Sequence, residues 1–197
     1  MPNERQYKVP VHFEQLYSVI SSAPFLKKEG LGGELPFFIH SFPVSKQQEV
    51  EVNIQSLIKR LQHAGIEVLE INLYQLCIDL LKRENLFDQI IQQEKKLPKQ
   101  RLIRVLSGPL NIETAIIPEV ERRLKERPVS VSFITGVGAA FPIIRSHAIL
   151  NNLQTLASDS PVVLFFPGTY NNRTLTLFDR LRDDNYYRAH NINEYKM

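Results

Sequence analysis

The order of apolar and polar positions predicts alternating strands and helices. The apolar run PFFIHSF, at 36–42, is typical of a buried strand. Apolar residues then recur at helical spacing from 50 to 61, behind a capping pattern formed by Ser45 and Gln48, and Gly65 ends that helix. IEVLEINL, at 66–73, has the length and the β-branched residues of a second strand. This β-α-β order indicates parallel strands joined by a right-handed crossover.

The later part of the chain continues this order less regularly. Residues 74–96 predict a helix that is broken near Asn85, and RLIRVLS, at 101–107, predicts an edge strand. PEVERRLKE predicts a short helix that begins at Pro118. VSVSFIT predicts a strand, followed by the turn GVG and a helix that begins at Pro142. VVLFFPG, at 162–168, is apolar on both faces, as a central parallel strand is.

These elements predict one α/β domain over 1–197. It contains an open, mostly parallel sheet of about four to five strands, covered by helices on both faces. We expect an N-terminal helix and a glycine-rich loop in 1–35, the core β-α units in 36–168, and an aromatic and charged segment in 169–197. The architecture is Rossmann-like, but GVGAAF places Phe141 where a dinucleotide fingerprint needs its third glycine.

Composition narrows the class of protein. Hydrophobic residues make up 43% of the chain and charged residues 23%, which are ordinary values for a globular domain. No apolar stretch approaches the ~20 residues of a membrane-spanning helix, and the N-terminus lacks a secretory signal pattern. Cys77 is the single cysteine, which excludes an internal disulfide and a thiolate metal cluster. We therefore expect a cytoplasmic protein with no membrane partner.

The net charge of +3 is concentrated in one part of the chain. Residues 101–150 carry seven Lys and Arg against four Asp and Glu, whereas the segments on either side are balanced. The run KKLPKQRLIR, at 95–104, holds five cations: Lys95, Lys96, Lys99, Arg101 and Arg104. Such a run can contact phosphates, but the lack of interleaved aromatic residues favours a solvated linker around Pro98.

One strand end predicts a candidate anion site. Ligands of open parallel sheets bind beyond the carboxyl ends of the strands, where TGVG supplies Thr135, Gly136 and Gly138. Backbone N–H groups of such a turn can point at an anion, and Arg145 can add a charge. No Lys follows these glycines as in a triphosphate loop, so a tight strand-to-helix turn is the favoured interpretation.

The residue pattern predicts no catalytic set, no metal and no cofactor. The five histidines never fall at metal-ligand spacing, and no GxSxG motif occurs. Asp88 with Glu94 and Lys96 superficially matches the acid-then-ExK order of nucleases. The stretch around them is helical in pattern, which is typical of a solvated face. We therefore expect a protein that is not an enzyme, with a degenerate nuclease as the remaining alternative.

Two groups of polar residues are candidates for partner binding. One is a stripe on the helix after TGVG, where Arg145, His147, Asn151 and Asn152 stand at helical spacing. The alternative for this stripe is a solvated helix face with a satisfied histidine. The other is the C-terminal segment, whose Tyr and Arg residues are the types that dominate binding hot spots. Its candidates are Tyr170, Arg182, Asp184, Tyr186, Tyr187 and Arg188. The alternative is a tail folded back over the sheet with its tyrosines capping the core, and both can hold together.

Two long segments resemble a known family. FITGVGAAFPIIRSHAILNNLQ and PVVLFFPGTYNNRTLTLFDRLRDDNYYRAHNI resemble the BrxB family of bacterial BREX (bacteriophage exclusion) defence systems. The resemblance is dense over 133–192 and looser over 37–74. It implies a role in phage resistance, beside an adenine-specific DNA methyltransferase, an AAA+-like ATPase and an alkaline-phosphatase-like PglZ protein. It implies no catalytic residues.

The resemblance and the missing catalytic set together predict a non-catalytic interaction subunit of a BREX-type complex. We expect it to dock onto the PglZ-like protein, the AAA+-like ATPase or both, with the PglZ-like protein as the first candidate and DNA contact only within the complex. The alternative is a nucleotide-, phosphate- or nucleic-acid-binding protein that uses the TGVG turn and the basic run at 95–104.

Overall fold

The computed structural model describes residues 7–29, 31, 35–153, 160–183, 185 and 187–195. The helices are α1 (Val9–Ile20), α2 (Ala23–Leu26), α3 (Gln47–His63), α4 (Leu73–Arg83), α5 (Phe87–Glu94), α6 (Lys99–Leu106), α7 (Ile117–Glu126), α8 (Val137–Ala140) and α9 (Ser146–Leu153). The strands are β1 (Phe37–Phe42), β2 (Val68–Asn72), β3 (Val131–Thr135), β4 (Val162–Tyr170), β5 (Leu175–Leu177), β6 (Leu181–Asp183) and β7 (His190–Asn191).

The strands form a mostly parallel sheet with helices on both faces, which confirms the predicted α/β fold. The parallel part has the order β2-β3-β4-β1-β7. The last residues of β4 pair antiparallel with β5, and β5 pairs antiparallel with β6. Within the described residues, the sheet therefore has seven strands. Two of them, β5 and β6, form a hairpin that the residue pattern did not predict.

Both faces of the central strand β4 are buried, as its apolar sequence predicts. Val163 and Phe165 point into one hydrophobic cluster, which α1 and α3 cover. Leu164 and Phe166 point into the other cluster, which α4, α7 and α9 cover. Because successive side chains of a strand alternate between the faces, one strand anchors both layers of helices.

Paired charges join α4 to α7. Glu119 is only 6% exposed and accepts hydrogen bonds from Arg122 (2.9 Å), Arg123 (3.0 Å) and Arg83 (3.1 Å). Arg123 also binds Asp79 at 3.0 Å. These guanidinium groups, that of Arg122 foremost, lower the pKa of Glu119 to about 2. The carboxylate is therefore charged at neutral pH and holds the two helices together.

A buried histidine joins both ends of the described chain to β1. His40 is fully buried, and its Nε2 accepts a hydrogen bond from the Tyr7 hydroxyl at 2.8 Å. Its Nδ1 donates to Oδ1 of Asn193 at 3.2 Å. Burial, and then the nearby His12, lowers the pKa of His40 to about 3. The ring is thus neutral, with one nitrogen donating and the other accepting.

The helix prediction for 74–96 is confirmed, including its break. Asn85 has a φ of 58° and separates α4 from α5. The edge strand predicted at 101–107 is wrong, because this stretch forms α6. Leu102 and Leu106 lie one helical turn apart and both face the body of the protein, a pairing that a strand would not provide.

The helix predicted to begin at Pro142 begins instead at Ser146. The amide of Ile144 donates to the carbonyl of Ala140, which keeps 141–144 in a turn. The carbonyl of Arg145 accepts from the amides of Ala148 and Ile149, the first hydrogen bonds of α9. The predicted start at Pro142 would have placed Arg145 in the first turn of the helix. Arg145 instead precedes the helix.

Candidate functional site

The carboxyl ends of the parallel strands enclose a crevice of about 180 Å³. Phe42 of β1, Asn72 of β2, Thr135 of β3 and Pro167 of β4 line it. Gln47, Glu51, Ile54, Gln55, Glu70, Gly136, Val137, Gly138 and Phe165 complete its wall. This is the place where ligands of open parallel sheets bind.

The charge of this crevice is negative. Glu70 accepts hydrogen bonds from the Thr135 hydroxyl (2.8 Å) and from the Gln55 amide (2.7 Å), and Gln47 donates to Glu51 at 3.0 Å. The lining residues that the structure describes include these two glutamates and no Lys or Arg. A phosphate would meet carboxylates there, which argues against the anion-binding role predicted for the TGVG turn.

The two glycines of the turn allow close packing. Gly136 has a φ of 73°, and a Cβ on it would lie 2.3 Å from Oδ1 of Asn72. A Cβ on Gly138 would lie 2.9 Å from the Phe178 ring and 3.0 Å from the Pro167 ring. The helix that follows, α8, has only four residues. These contacts support the interpretation of a tight turn, although binding by Thr135 stays a prediction.

The predicted polar stripe on α9 is only partly described. Asn151 is exposed, whereas Asn152 is half-buried and its Nδ2 donates to the Ala148 carbonyl at 2.7 Å. The side chain of His147 lies outside the described part of the structure. Arg145 is exposed and is not among the described residues that line the crevice, so anion binding by Arg145 together with Gly136 and Gly138 stays a prediction.

The described tyrosines of the C-terminal segment hold that segment onto the sheet. Tyr187 is fully buried, and its hydroxyl donates to Asp183. Burial, and then this carboxylate, raises the pKa of Tyr187. Tyr170 is 5% exposed and its hydroxyl donates to the carbonyl of Ala189 at 2.7 Å. Neither phenol is accessible to a partner in this conformation.

The remaining predicted residues of this segment have different environments. Arg182 and Arg188 are exposed, which a partner contact requires. Asp184 and Tyr186 lie outside the described residues. Partner binding by this set therefore stays a prediction, supported by exposure at the two arginines and opposed by burial at Tyr170 and Tyr187.

The β5–β6 hairpin carries a surface that the sequence analysis missed. Val44, Phe178 and Leu181, with Asp179 and Arg180 at the rim, line a depression of about 570 Å³. We call these five residues the hairpin patch. Val44 is 36% exposed and Leu181 44% exposed, so apolar surface faces solvent here.

The backbone of the hairpin patch is strained. Phe178 and Asp179 have φ values of 56° and 57°, in the left-handed region that bulky side chains rarely adopt. The Thr169 hydroxyl donates to Asp179, and the Phe178 ring packs edge-to-face on Phe141 at 6.0 Å. Strained residues that their surroundings hold in place cluster at binding sites. The strain therefore marks this hairpin as a candidate contact surface.

Among the residues that the structure describes, no group of three or more His, Cys, Asp or Glu side chains is placed to hold a metal ion. Within the same residues, no helix is both long and apolar enough to cross a membrane.

Comparison with known proteins identifies relatives over most of the chain. A family model described as "BREX protein BrxB" matches residues 69–192. A "BREX protein BrxB" of Bacillus cereus (strain H3081.97) is 31% identical over 186 residues, which cover 92% of this chain and 96% of the relative. Another of the same description, from Escherichia coli O9:H4 (strain HS), is 31% identical over 175 residues, covering 89% and 86%. No solved structure matches this chain.

Proposed function

We infer a function from one premise: this chain belongs to the BrxB family of BREX proteins. It is therefore a component of a bacterial phage defence system. We propose that its part in that system is to bind another component without catalysing a reaction. The partner we propose first is the PglZ-like protein, and the AAA+-like ATPase is the second candidate.

The chemistry of the described residues supports a binding role over a catalytic one. Cys77 is 2% exposed, and burial raises the pKa of its thiol to about 12, so it stays protonated and inaccessible. In the crevice, Glu70 and Glu51 are bound to neighbouring Thr and Gln side chains. The described lining of the crevice contains no His, Lys, Cys or Ser, so the Thr135 hydroxyl and the Glu70 carboxylate form its one hydroxyl–carboxylate pair.

The observation that carries the proposal is the hairpin patch. It joins exposed apolar side chains, Leu181 and Val44, to a backbone held in a rare conformation at Phe178 and Asp179. Arg180 stands at its rim and supplies a charge that can orient a partner. An apolar centre with a polar rim is the usual anatomy of a protein interface.

Co-purification tests this proposal. The tagged protein is co-expressed with the PglZ-like protein of its own defence system, and the partner recovered is quantified. Leu181→Glu places a charge in the centre of the hairpin patch and should reduce recovery at least tenfold, the effect of about 1.4 kcal/mol. Val52→Glu is the matched control, because Val52 is 69% exposed on α3, outside the patch.

Recovery of the PglZ-like protein at equal levels with Leu181→Glu and Val52→Glu would refute docking through the hairpin patch. The same experiment is done with the AAA+-like ATPase as the co-expressed protein. If only the ATPase is recovered, and Leu181→Glu reduces its recovery, the ATPase is the partner. Both variants should keep the circular dichroism spectrum and the melting temperature of the parent protein within a few degrees, since both positions are on the surface.

The nucleotide or phosphate alternative has less support. Its predicted site lies in a crevice whose described lining carries two glutamates and no cation. A thermal-shift screen with nucleotides distinguishes the two functions, because a ligand at about 100 times its dissociation constant stabilises by roughly 2.7 kcal/mol. We expect no shift.

A further inference from the structure

The connection between α5 and α6 forms a second surface, which differs in charge from the hairpin patch. Residues 95–112 contain five Lys and Arg and no Asp or Glu. We call these five cations the basic segment: Lys95, Lys96, Lys99, Arg101 and Arg104. A stretch of this length with a single sign of charge produces a local positive potential.

All five side chains of the basic segment are exposed. None of them lies within 4.0 Å of a carboxylate in the part of the chain that the structure describes, although other surface cations do. Arg60 binds Glu14 at 2.6 Å, and Lys46 binds Glu49 at 3.0 Å. No carboxylate of the described residues therefore pairs with a cation of the basic segment.

The local fold directs these charges outward. On α6, Leu102 and Leu106 face the protein, whereas Arg101 and Arg104, one turn apart, are exposed on the other side of the helix. Lys95 and Lys96 directly follow α5, which has no fully buried residue, and Lys99 begins α6. The helix pair thus lies on the outside of the molecule and presents the five cations to solvent.

We propose that the basic segment binds the phosphate backbone of double-stranded nucleic acid. Exposed cations that form no ion pair gain most from a dense polyanion, because each phosphate they neutralise releases a condensed counterion. Residues 95–112 contain no aromatic side chain on which an unpaired base could stack, which favours a duplex over a single strand. The binding is therefore independent of base sequence.

The same surface fits an acidic protein less well. A stable protein interface needs a desolvated apolar centre, and the described part of this helix pair exposes two large apolar side chains, Val105 of α6 (44%) and Ile91 of α5 (50%). Phosphate contacts need no such centre, because they leave the cations partly hydrated. This binding goes beyond the proposed docking function and uses residues outside the hairpin patch.

Fluorescence anisotropy with a short labelled DNA duplex of mixed sequence tests the proposal. With five phosphate contacts, the affinity should fall roughly 500-fold between about 50 and 200 mM salt. With three contacts, as in Arg101→Glu/Arg104→Glu, it should fall only roughly 40-fold over the same range. At the lower salt concentration this double variant should bind at least tenfold more weakly than the parent protein.

Lys27→Glu/Lys59→Glu is the matched control. Both lysines are exposed, on other parts of the surface, and this double variant changes the net charge by the same amount. It should keep the salt dependence of the parent protein. Equal duplex affinity of the two double variants would overturn the proposal, as would duplex binding that does not respond to salt.

Two further measurements test the preference for a duplex and the alternative of an acidic protein partner. They are competition with an unlabelled single strand and co-purification with the PglZ-like protein. A single strand that competes better than the duplex would refute the preference for duplex. Unchanged duplex binding by Arg101→Glu/Arg104→Glu, together with loss of the PglZ-like protein, would assign the basic segment to an acidic protein surface instead.

Discussion

The corner between α4 and α7 and the basic segment use the same side chain in opposite ways. At the corner, Arg83, Arg122 and Arg123 gather around Glu119, a carboxylate that is only 6% exposed. On α6, Arg101 and Arg104 are exposed and lie beyond ion-pair distance of every described carboxylate. A charge that is paired and partly desolvated stabilises the fold, whereas a charge left in water remains available to a partner.

The C-terminal tyrosines and the hairpin patch differ in the same way. Tyr187 and Tyr170 are buried, and their hydroxyl groups bind Asp183 and the Ala189 carbonyl. In the hairpin patch, Leu181 and Val44 are exposed instead. Substitutions of the buried, paired groups should therefore change stability, and substitutions of the exposed groups should change binding alone.

Removing the carboxylate at the α4–α7 corner should have the largest effect on stability. Glu119→Gln leaves three guanidinium groups around a neutral amide and should lower the free energy of unfolding by about 2 kcal/mol, since the arginines remain partly solvated. Urea denaturation measures this change. Glu121→Gln is the control on the same helix, and a loss no larger than that of the control would contradict the structural role of Glu119.

Lowering the pH should destabilise the protein through His40. Its folded-state pKa of about 3 lies below the unfolded value of 6.5, so the unfolded state takes up the proton first as the pH falls. Stability contributed by the neutral ring is complete above pH 6.5 and decreases as the pH falls toward 3. At pH 5 the loss should be about 2 kcal/mol.

The variant His40→Gln isolates this pH effect. A glutamine can accept from Tyr7 and donate to Asn193 but does not titrate in this range. The slope of unfolding free energy against pH between 7 and 5 should decrease in this variant relative to His63→Gln, whose position is exposed. Identical slopes in the two variants would show that His40 is not the titrating group.

A smaller effect is expected at the C-terminal segment. Tyr187→Phe removes the hydroxyl that donates to Asp183 and should cost about 1 kcal/mol of unfolding free energy. Tyr74→Phe, at a position that is 46% exposed, should cost almost nothing. If Tyr187→Phe unfolded like the control but lost the PglZ-like protein, Tyr187 would be a binding residue, as its sequence context had suggested.

The smallest effect on stability is expected at the basic segment. Arg101→Glu/Arg104→Glu should change the unfolding free energy by no more than about 0.5 kcal/mol, because neither arginine pairs with a carboxylate of the described residues. Urea denaturation of this variant is the counterpart of the Glu119→Gln experiment. A loss of unfolding free energy as large as that of Glu119→Gln would contradict the claim that only the arginines around Glu119 stabilise the fold.

Local sequence patterns predicted the parallel strands of the sheet but not the antiparallel β5–β6 hairpin. PFFIHSF and VVLFFPG are apolar on both faces, and that property follows directly from a buried central strand. The β5–β6 hairpin was missed although TLTLF alternates, because its turn uses Phe178 and Asp179 in the left-handed region. A turn with glycine or asparagine at these positions would have been detectable.

The candidate sites could be predicted less well than the fold. Glu51 and Glu70 lie on α3 and β2 and meet only in the folded chain, so the negative charge of the crevice was not visible from the TGVG turn. Residue type also does not distinguish a binding tyrosine from one that caps a core, as Tyr187 illustrates. The basic run at 95–104 was recognised, but the lack of ion-pair partners depends on the three-dimensional arrangement.

The most direct test of this account compares both surfaces in one co-purification experiment. The parent protein, Leu181→Glu and Arg101→Glu/Arg104→Glu are each co-expressed with the PglZ-like protein, and the lysates are treated with nuclease before affinity capture. We predict that Leu181→Glu loses the partner and that Arg101→Glu/Arg104→Glu retains it. Retention by both variants, or loss only with Arg101→Glu/Arg104→Glu, would contradict docking through the hairpin patch.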